Sequence, residues 1–389
     1  MKLISMNDHR PTLTCHLCDA KDLQLAPAYA AFQRVTSDCK PWPAGGSLAR
    51  CRACGLVQTV VGPKWQAEAD QIYTGYTIYH QSGGREQNIF PGAGGVGKPR
   101  SDGIITALRD AVALPVGGRL LDIGCGNGSF LSAWSRLVPG WSLCGSEVSE
   151  KYKAQIEGVP GVERLFTCDV DEIPGQFDVV SLVHVLEHIP APSAFLWRVR
   201  KKLKPGGILL VEVPDCAQNY FMLLVADHCS HFSPPLLAGV VAAAGFEIVL
   251  STNSWVAKEV TVVARPRPAP AEIEKPRLPE NDSEQVFANW LRLRETVAKV
   301  EAVAQNPKFG LFGTAISATW LDAQTGRAAQ FFVDEDQNRT GKTHLGRPIL
   351  APADVPLGAT VFVPLPEPLA GQVTARLNNL NRNLTVVTS

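Results

Sequence analysis

The chain has 389 residues, 45% of them hydrophobic and 19% charged. That mixture excludes wholesale disorder, and the length suits two or three domains rather than one. Thirty-seven basic residues balance thirty-seven acidic ones, so the surplus of positive charge that long nucleic acid demands is missing. No apolar run has the length to span a bilayer, and the start lacks a long apolar core. The expectation is a soluble, cytoplasmic protein working without membrane or nucleic acid.

Five of the ten cysteines fall in the first 54 residues. Four form two Cys-x-x-Cys pairs, Cys15 with Cys18 and Cys51 with Cys54. Each pair fits a tight turn with both sulfurs facing one point, and two such knuckles complete a tetrahedral thiolate site. Residues 1–62 therefore read as a zinc-binding module. Zinc would supply folding free energy on the order of 10 kcal/mol to so small a unit. Four thiolates leave no open position, so the metal is expected to be structural.

Residues 63–100 read as a connecting segment of helix and loop that carries Tyr73, Tyr76 and Tyr79. Gly92 to Lys98 imitates a phosphate loop, but Pro99 stands where Ser or Thr would hold magnesium. From 101 to 264, short β-rich runs alternate with helical patterns, which predicts a parallel α/β sheet. The clearest strands are Leu120 to Ile123, Trp141 to Gly145, Phe177 to Val183 and Ile208 to Val213. Residues 265–304 begin with five prolines in sixteen residues, a stiff linker, and continue as a helix with Asp282 and Gln285 placed as a capping box. Residues 305–389 begin a second β-loop-α pattern, a C-terminal Rossmann-like domain. There Asp334-Glu335-Asp336-Gln337-Asn338 starts like a calcium loop, with Arg339 where glycine is required.

The run Leu120-Leu121-Asp122-Ile123-Gly124-Cys125-Gly126-Asn127-Gly128 goes from strand to loop to helix. Its alternating glycines let backbone approach a ligand and leave helix amides facing it. Its spacing differs from the dinucleotide fingerprint. It resembles the first motif of class I S-adenosylmethionine (SAM) methyltransferases. The resemblance implies that Asp122, Gly124, Cys125, Gly126, Asn127 and Gly128 cradle SAM and that Glu147 takes the ribose hydroxyls. It further implies Cys168 and Asp169 at the adenine, with His184 nearby in a strand-to-loop run that also suits a hydrogen-bonded structural role. Phe177-Asp178-Val179-Val180 and Leu203-Lys204-Pro205-Gly206-Gly207 continue the same pattern.

Two histidine-rich segments lie where this fold places acceptor groups: His184 to Pro190 after the fourth strand, and Asp227 to Ser233 beyond the fifth. With zinc module, SAM domain and C-terminal Rossmann-like domain in that order, the chain resembles the C-methyltransferases of nucleotide-linked keto-deoxysugars. That resemblance implies His228, beside Asp227, as the base that removes a proton next to the ketone. It implies His188, His231 and Tyr76 or Tyr79 around the acceptor. Val225 and His231 replace two tyrosines of that family's motif, and Asn253-Ser254-Trp255 stands where its His-Gly-Gly would be. A sugar O-methyltransferase, a zinc-containing RNA base methyltransferase and a non-catalytic SAM-binding protein are the alternative readings.

Overall fold

The computed structural model describes residues 13–78, 83–86, 88–89, 97–268, 275–382 and 384–389. Tyr79 and most of the phosphate-loop imitation, Gly92 to Val96, lie outside them, as does Pro270 of the linker. The N-terminal sheet begins with β1 (Leu23–Leu25), β2 (Leu48–Cys51) and β3 (Val57–Thr59), which pair antiparallel. Helix α1 (Pro63–Thr74) follows, then α2 (Arg100–Ala111), which starts directly after Pro99. Pro suits a helix entrance because the amide it lacks would have no partner there. Helix α1 stops at Thr74, so Tyr76 lies beyond it.

The central sheet is built from β4 (Arg119–Ile123), β5 (Ser142–Ser146), β6 (Val162–Phe166), β7 (Phe177–Val183) and β8 (Leu203–Pro214). Helix α3 (Ser129–Leu137) links the first two. A short strand, β9 (Ser230–His231), leaves this sheet and joins the edge of the N-terminal one beside β3. Strands β10 (Phe246–Thr252) and β11 (Glu259–Pro266) return to it. The order across the sheet is β6-β5-β4-β7-β8-β11-β10. Strand β11 alone runs antiparallel to both neighbours. The middle strands are buried on both faces, which explains the apolar stretches Val179-Val180 in β7 and Ile208 to Val211 in β8.

Helix α4 (Glu280–Val303) packs Val286, Trp290, Leu293 and Val300 into the core. Pro279 rather than Asp282 precedes its first turn, and no side chain caps it. The chain ahead of this helix is docked, not free: Leu278 N donates to Cys54 O at 2.8 Å, and Ser283 Oγ donates to Gly55 O. The C-terminal sheet contains β12 (Phe309–Phe312), β13 (Phe331–Val333), β14 (Thr343–His344), β15 (Arg347–Leu350), β16 (Thr360–Val363) and β17 (Thr385–Thr388). Its order is β14-β15-β13-β12-β16-β17, parallel except for β14. One apolar cluster runs through all three units, from Leu48 and Val57 through Leu121, Val180 and Phe232 to Phe309 and Trp320. The described helices include none long and apolar enough to cross a membrane.

Candidate active site and metal centre

The glycine loop follows β4 and ends at α3. Gly124, Gly126 and Gly128 have φ of 68°, 57° and 82°, a left-handed region that costs other residues energy. A Cβ on Gly126 would meet Ile78 at 2.6 Å and one on Gly124 would meet Val185 at 2.5 Å. The loop is thus covered by chain from before β4 and after β7. Glu147, just past β5, accepts from Gly126 N at 2.9 Å and Val148 N at 2.8 Å. Burial raises its pKa, while those two amides act in the opposite direction. Glycine amides, a helix N-terminus and a carboxylate converge here, a combination that fits a nucleoside carrying hydroxyls.

Not every loop residue faces that space. The Asp122 side chain is fully buried and accepts from Ser181 Oγ at 2.7 Å, tying β4 to β7 beneath the loop. Cys125 is buried, with Sγ 2.8 Å from where a Gly145 Cβ would be. Asn127 is held by Gly84 O and Ser129 Oγ at 2.8 and 2.7 Å. Cys168 is exposed, and Asp169 accepts from Asp171 N and Arg198 Nη2. His184 sits at φ 55° with Nε2 2.6 Å from Arg100 Nη1 and Nδ1 3.2 Å from Glu187 Oε1. That is a half-buried polar brace at the end of β7. A cleft of about 510 Å³ opens beside α3, lined by Asn127, Ser129, Arg136 and Gln155, and no histidine lines it.

Burial pushes the Asp122 carboxyl up to about 7. A carboxyl held above its unfolded value makes the protein lose stability as pH climbs from about 4 to about 7, because the folded form retains the proton. Asp122→Asn keeps an acceptor for Ser181 and removes that charge. It should flatten this segment of the stability curve and stabilise the protein above pH 7, by less than the ceiling of about 4 kcal/mol that three units imply. Urea unfolding at pH 5 and pH 8 checks this; equal pH dependence in both proteins would refute it.

The two histidine segments come together. The rings of His188 and His228 are perpendicular with centroids 4.6 Å apart, and Tyr73 lies 6.2 Å from His188. Asp227, beside His228 in sequence, turns away from it. Its carbonyl accepts from His188 Nδ1 at 3.0 Å, and its carboxylate Oδ2 lies 3.4 Å from the same nitrogen. Both groups only accept, so Nδ1 carries the proton and Nε2 of a neutral His188 keeps its lone pair. His188 retains 14% side-chain exposure whereas His228 is 2% exposed. Burial, then the neighbouring His188, His231 and His184, depress the His228 pKa well below the usual imidazole range.

His231 does not join this group. As part of β9 it is buried against the N-terminal sheet, with Nε2 3.4 Å from Thr59 Oγ1, and burial pushes its pKa down to about 3. The alternation of a strand sends it to the face opposite its neighbour Ser230, whose Oγ meets His16 Nε2 at 2.9 Å. Tyr76 stacks obliquely on Tyr73, 5.8 Å between centroids, and Tyr73 is the one beside His188. The i, i+3 spacing of these tyrosines could have suggested Tyr73, but nothing local marks Ser37, whose N donates to Asp227 Oδ1 at 2.9 Å.

The four cysteines converge as their spacing predicts. Cys15 Sγ lies 3.6 Å from Cys54 Sγ, and Cys18 Sγ lies 3.7 Å from Cys51 Sγ. A tetrahedron with zinc–sulfur bonds of 2.3 Å has edges of about 3.8 Å, so the residues fit that ion. Each knuckle ends in a left-handed residue, Asp19 at φ 62° and Gly55 at φ 87°. Glu187, His188 and His228 likewise bring one donor atom each within 4.8 Å of one another. In the C-terminal domain Arg339 lies within 3.3 Å of Asp334 and 3.8 Å of Asp336, a guanidinium where the calcium-like motif would seat a cation.

Residues 100–251 match the family model described as a methyltransferase domain. This part of the chain is a methyltransferase domain. The domain is of the class I, SAM-dependent kind, with a Rossmann-like α/β sheet. A ubiquinone biosynthesis O-methyltransferase of Pseudomonas aeruginosa is 36% identical to it over 99 residues, 23% of this chain and 42% of that protein. Its counterpart in Xanthomonas campestris pv. campestris is 35% identical over 131 residues, 32% and 54% of the two chains. The chain thus spans about half the length of the curated relatives it matches. Among solved structures, a Burkholderia thailandensis 1,6-didemethyltoxoflavin-N1-methyltransferase aligns at 18% identity with a TM-score of 0.40, covering 57% of this chain and 96% of that one.

Proposed function

We propose that the chain is a SAM-dependent methyltransferase acting on a small sugar acceptor, a nucleotide-linked keto-deoxysugar, and that methylation is at carbon. The observation that carries this reading is the Asp227–His188 pair. It presents an unprotonated Nε2 from the segment after β7, where the class I fold receives acceptors. SAM, when bound, supplies a methyl group on a sulfonium, and the displacement needs an acceptor held in line. His188 would remove the proton beside the ketone, and the enolate carbon would attack the methyl. Asp227 would hold the imidazole in the required tautomer and stabilise the imidazolium formed. His228, buried and held neutral, would pack against the base instead of replacing it.

On this reading the glycine loop and Glu147 hold the cofactor, with Glu147 exchanging its two backbone amides for ribose hydroxyls. Asp169 would meet the adenine amino group. Asp122 and Cys125 support the loop from beneath. Zinc in the four-thiolate site would be structural, since all four positions belong to the protein.

An oxygen acceptor is the second reading, favoured by the relatives, whose names describe O-methyltransferases. Mass spectrometry with SAM and a panel of nucleotide-linked keto-deoxysugars in deuterated water separates the two. Carbon methylation adds a methyl group and exchanges deuterium beside the ketone. Methyl gain without exchange would establish an oxygen or nitrogen acceptor. No product, with SAM bound, would overturn the sugar assignment.

A further inference from the structure

The segment that carries the proposed acceptor machinery is fastened less to its own sheet than to the cysteine module. Val35 forms a bridge with Val225, and Ala226 N donates to Val35 O at 2.8 Å. Trp65 Nε1 donates to Ala226 O at 3.0 Å. Thr59 N donates to Cys229 O at 3.1 Å, and β9 then continues the module's own sheet. Within this frame the Asp227 carboxylate is fully buried, and both of its oxygens are spoken for by one residue. Ser37 N donates to Oδ1 at 2.9 Å, and Ser37 Oγ donates to Oδ2. A buried carboxylate without such donors would be costly, and its orientation would be undetermined.

We infer that Ser37, from the cysteine module, is a positioning residue that acts through Asp227 to fix the tautomer and orientation of His188. This rests on the reading of His188 as the base. Oδ2 is the oxygen shared between the Ser37 hydroxyl and His188 Nδ1. The hydroxyl therefore sets which way the carboxylate plane faces, and with it the second acceptor at Nδ1 beside the Asp227 carbonyl. Outer partners of this kind orient a working imidazole in the way that second-shell carboxylates orient metal-bound histidines. The module thereby has a role beyond packing: a residue far from His188 in sequence holds the acceptor side of the site.

The test uses the full chain labelled with ¹⁵N-histidine, with the His188 signals assigned by their loss in His188→Gln. In the wild type, His188 should show a protonated Nδ1 and an unprotonated Nε2. Ser37→Ala should mix the two tautomers and lower kcat about tenfold, the worth of one charge-assisted hydrogen bond, with KM and SAM affinity within about twofold. Ser37→Thr, which keeps the hydroxyl, should restore both the spectrum and kcat. An unchanged His188 tautomer in folded Ser37→Ala would overturn the inference whatever the substrate is. Mixed tautomers with unchanged kcat would instead overturn His188 as the base while leaving Ser37 as the group that fixes its tautomer.

Discussion

His188→Gln should lower turnover by a factor of about 10² to 10⁴, the usual worth of a positioned general base, and leave SAM affinity within about twofold. The glycine loop and Glu147 make no hydrogen bond to the His188 ring, so cofactor binding and proton removal are separable. His228→Gln should cost less. Its imidazole is buried and is pushed towards the neutral form by burial and three neighbouring histidines. A low conjugate-acid pKa keeps it unprotonated yet makes it a weak base. Comparing the two variants under saturating SAM decides the assignment, with calorimetric titration of SAM as the control. If His228→Gln lost more turnover than His188→Gln, the roles would be reversed.

Cys51→Ser should remove the metal and uncouple the acceptor segment from the rest of the site. Losing one of four thiolates forfeits most of a binding free energy on the order of 10 kcal/mol in isolated zinc modules. Cys51 ends β2, the strand between β1 and β3, and β3 is the one that accepts β9. Melting of the module therefore releases Ser230 and His231 and, with them, Asp227 and His228. The expected results are zinc content falling from one equivalent to none, an added low-temperature unfolding step, and loss of turnover. SAM affinity should persist, because the glycine loop belongs to the central sheet. Full turnover by a metal-free protein would refute both the zinc site and its mechanical role.

Much of the central domain was legible because its signals are local. β4, β7 and β8 each carry a short apolar run of β-formers, and the glycines after β4 announce a loop in which backbone must adopt positive φ. The same holds for the cysteines, where a two-residue gap itself dictates a knuckle. Strand ends were less legible: β8 starts at Leu203, so the Lys204-Pro205-Gly206-Gly207 turn belongs to a strand. Pro266, read as linker, closes β11, beyond Ala264, the last residue there that pairs with β8.

The acceptor side was legible only as residue types. The sequence resemblance pointed to His228 with Asp227 as its companion, because neighbours in a chain are the only neighbours a sequence displays. In three dimensions Asp227 faces His188, 39 residues earlier, and Ser37, 190 residues earlier. His231 carried the same promise as His228, yet the edge strand it enters turns it into the module. Strand alternation assigns faces only once the partner sheet is known, and that sheet belongs to another part of the chain.

The sequence by itself determined the alternating α/β domain, the cofactor loop and the four-cysteine centre, since periodicity, glycine conformation and ligand spacing act within a few residues. Tertiary structure alone decided that Asp227 stands behind His188 and not behind its sequence neighbour His228. That choice depends on β9 leaving the central sheet to pair with β3, which brings the module's Ser37 against Asp227. Long-range burial of polar groups makes the pairing obligatory: a carboxylate taken fully from water must find its donors wherever the fold supplies them.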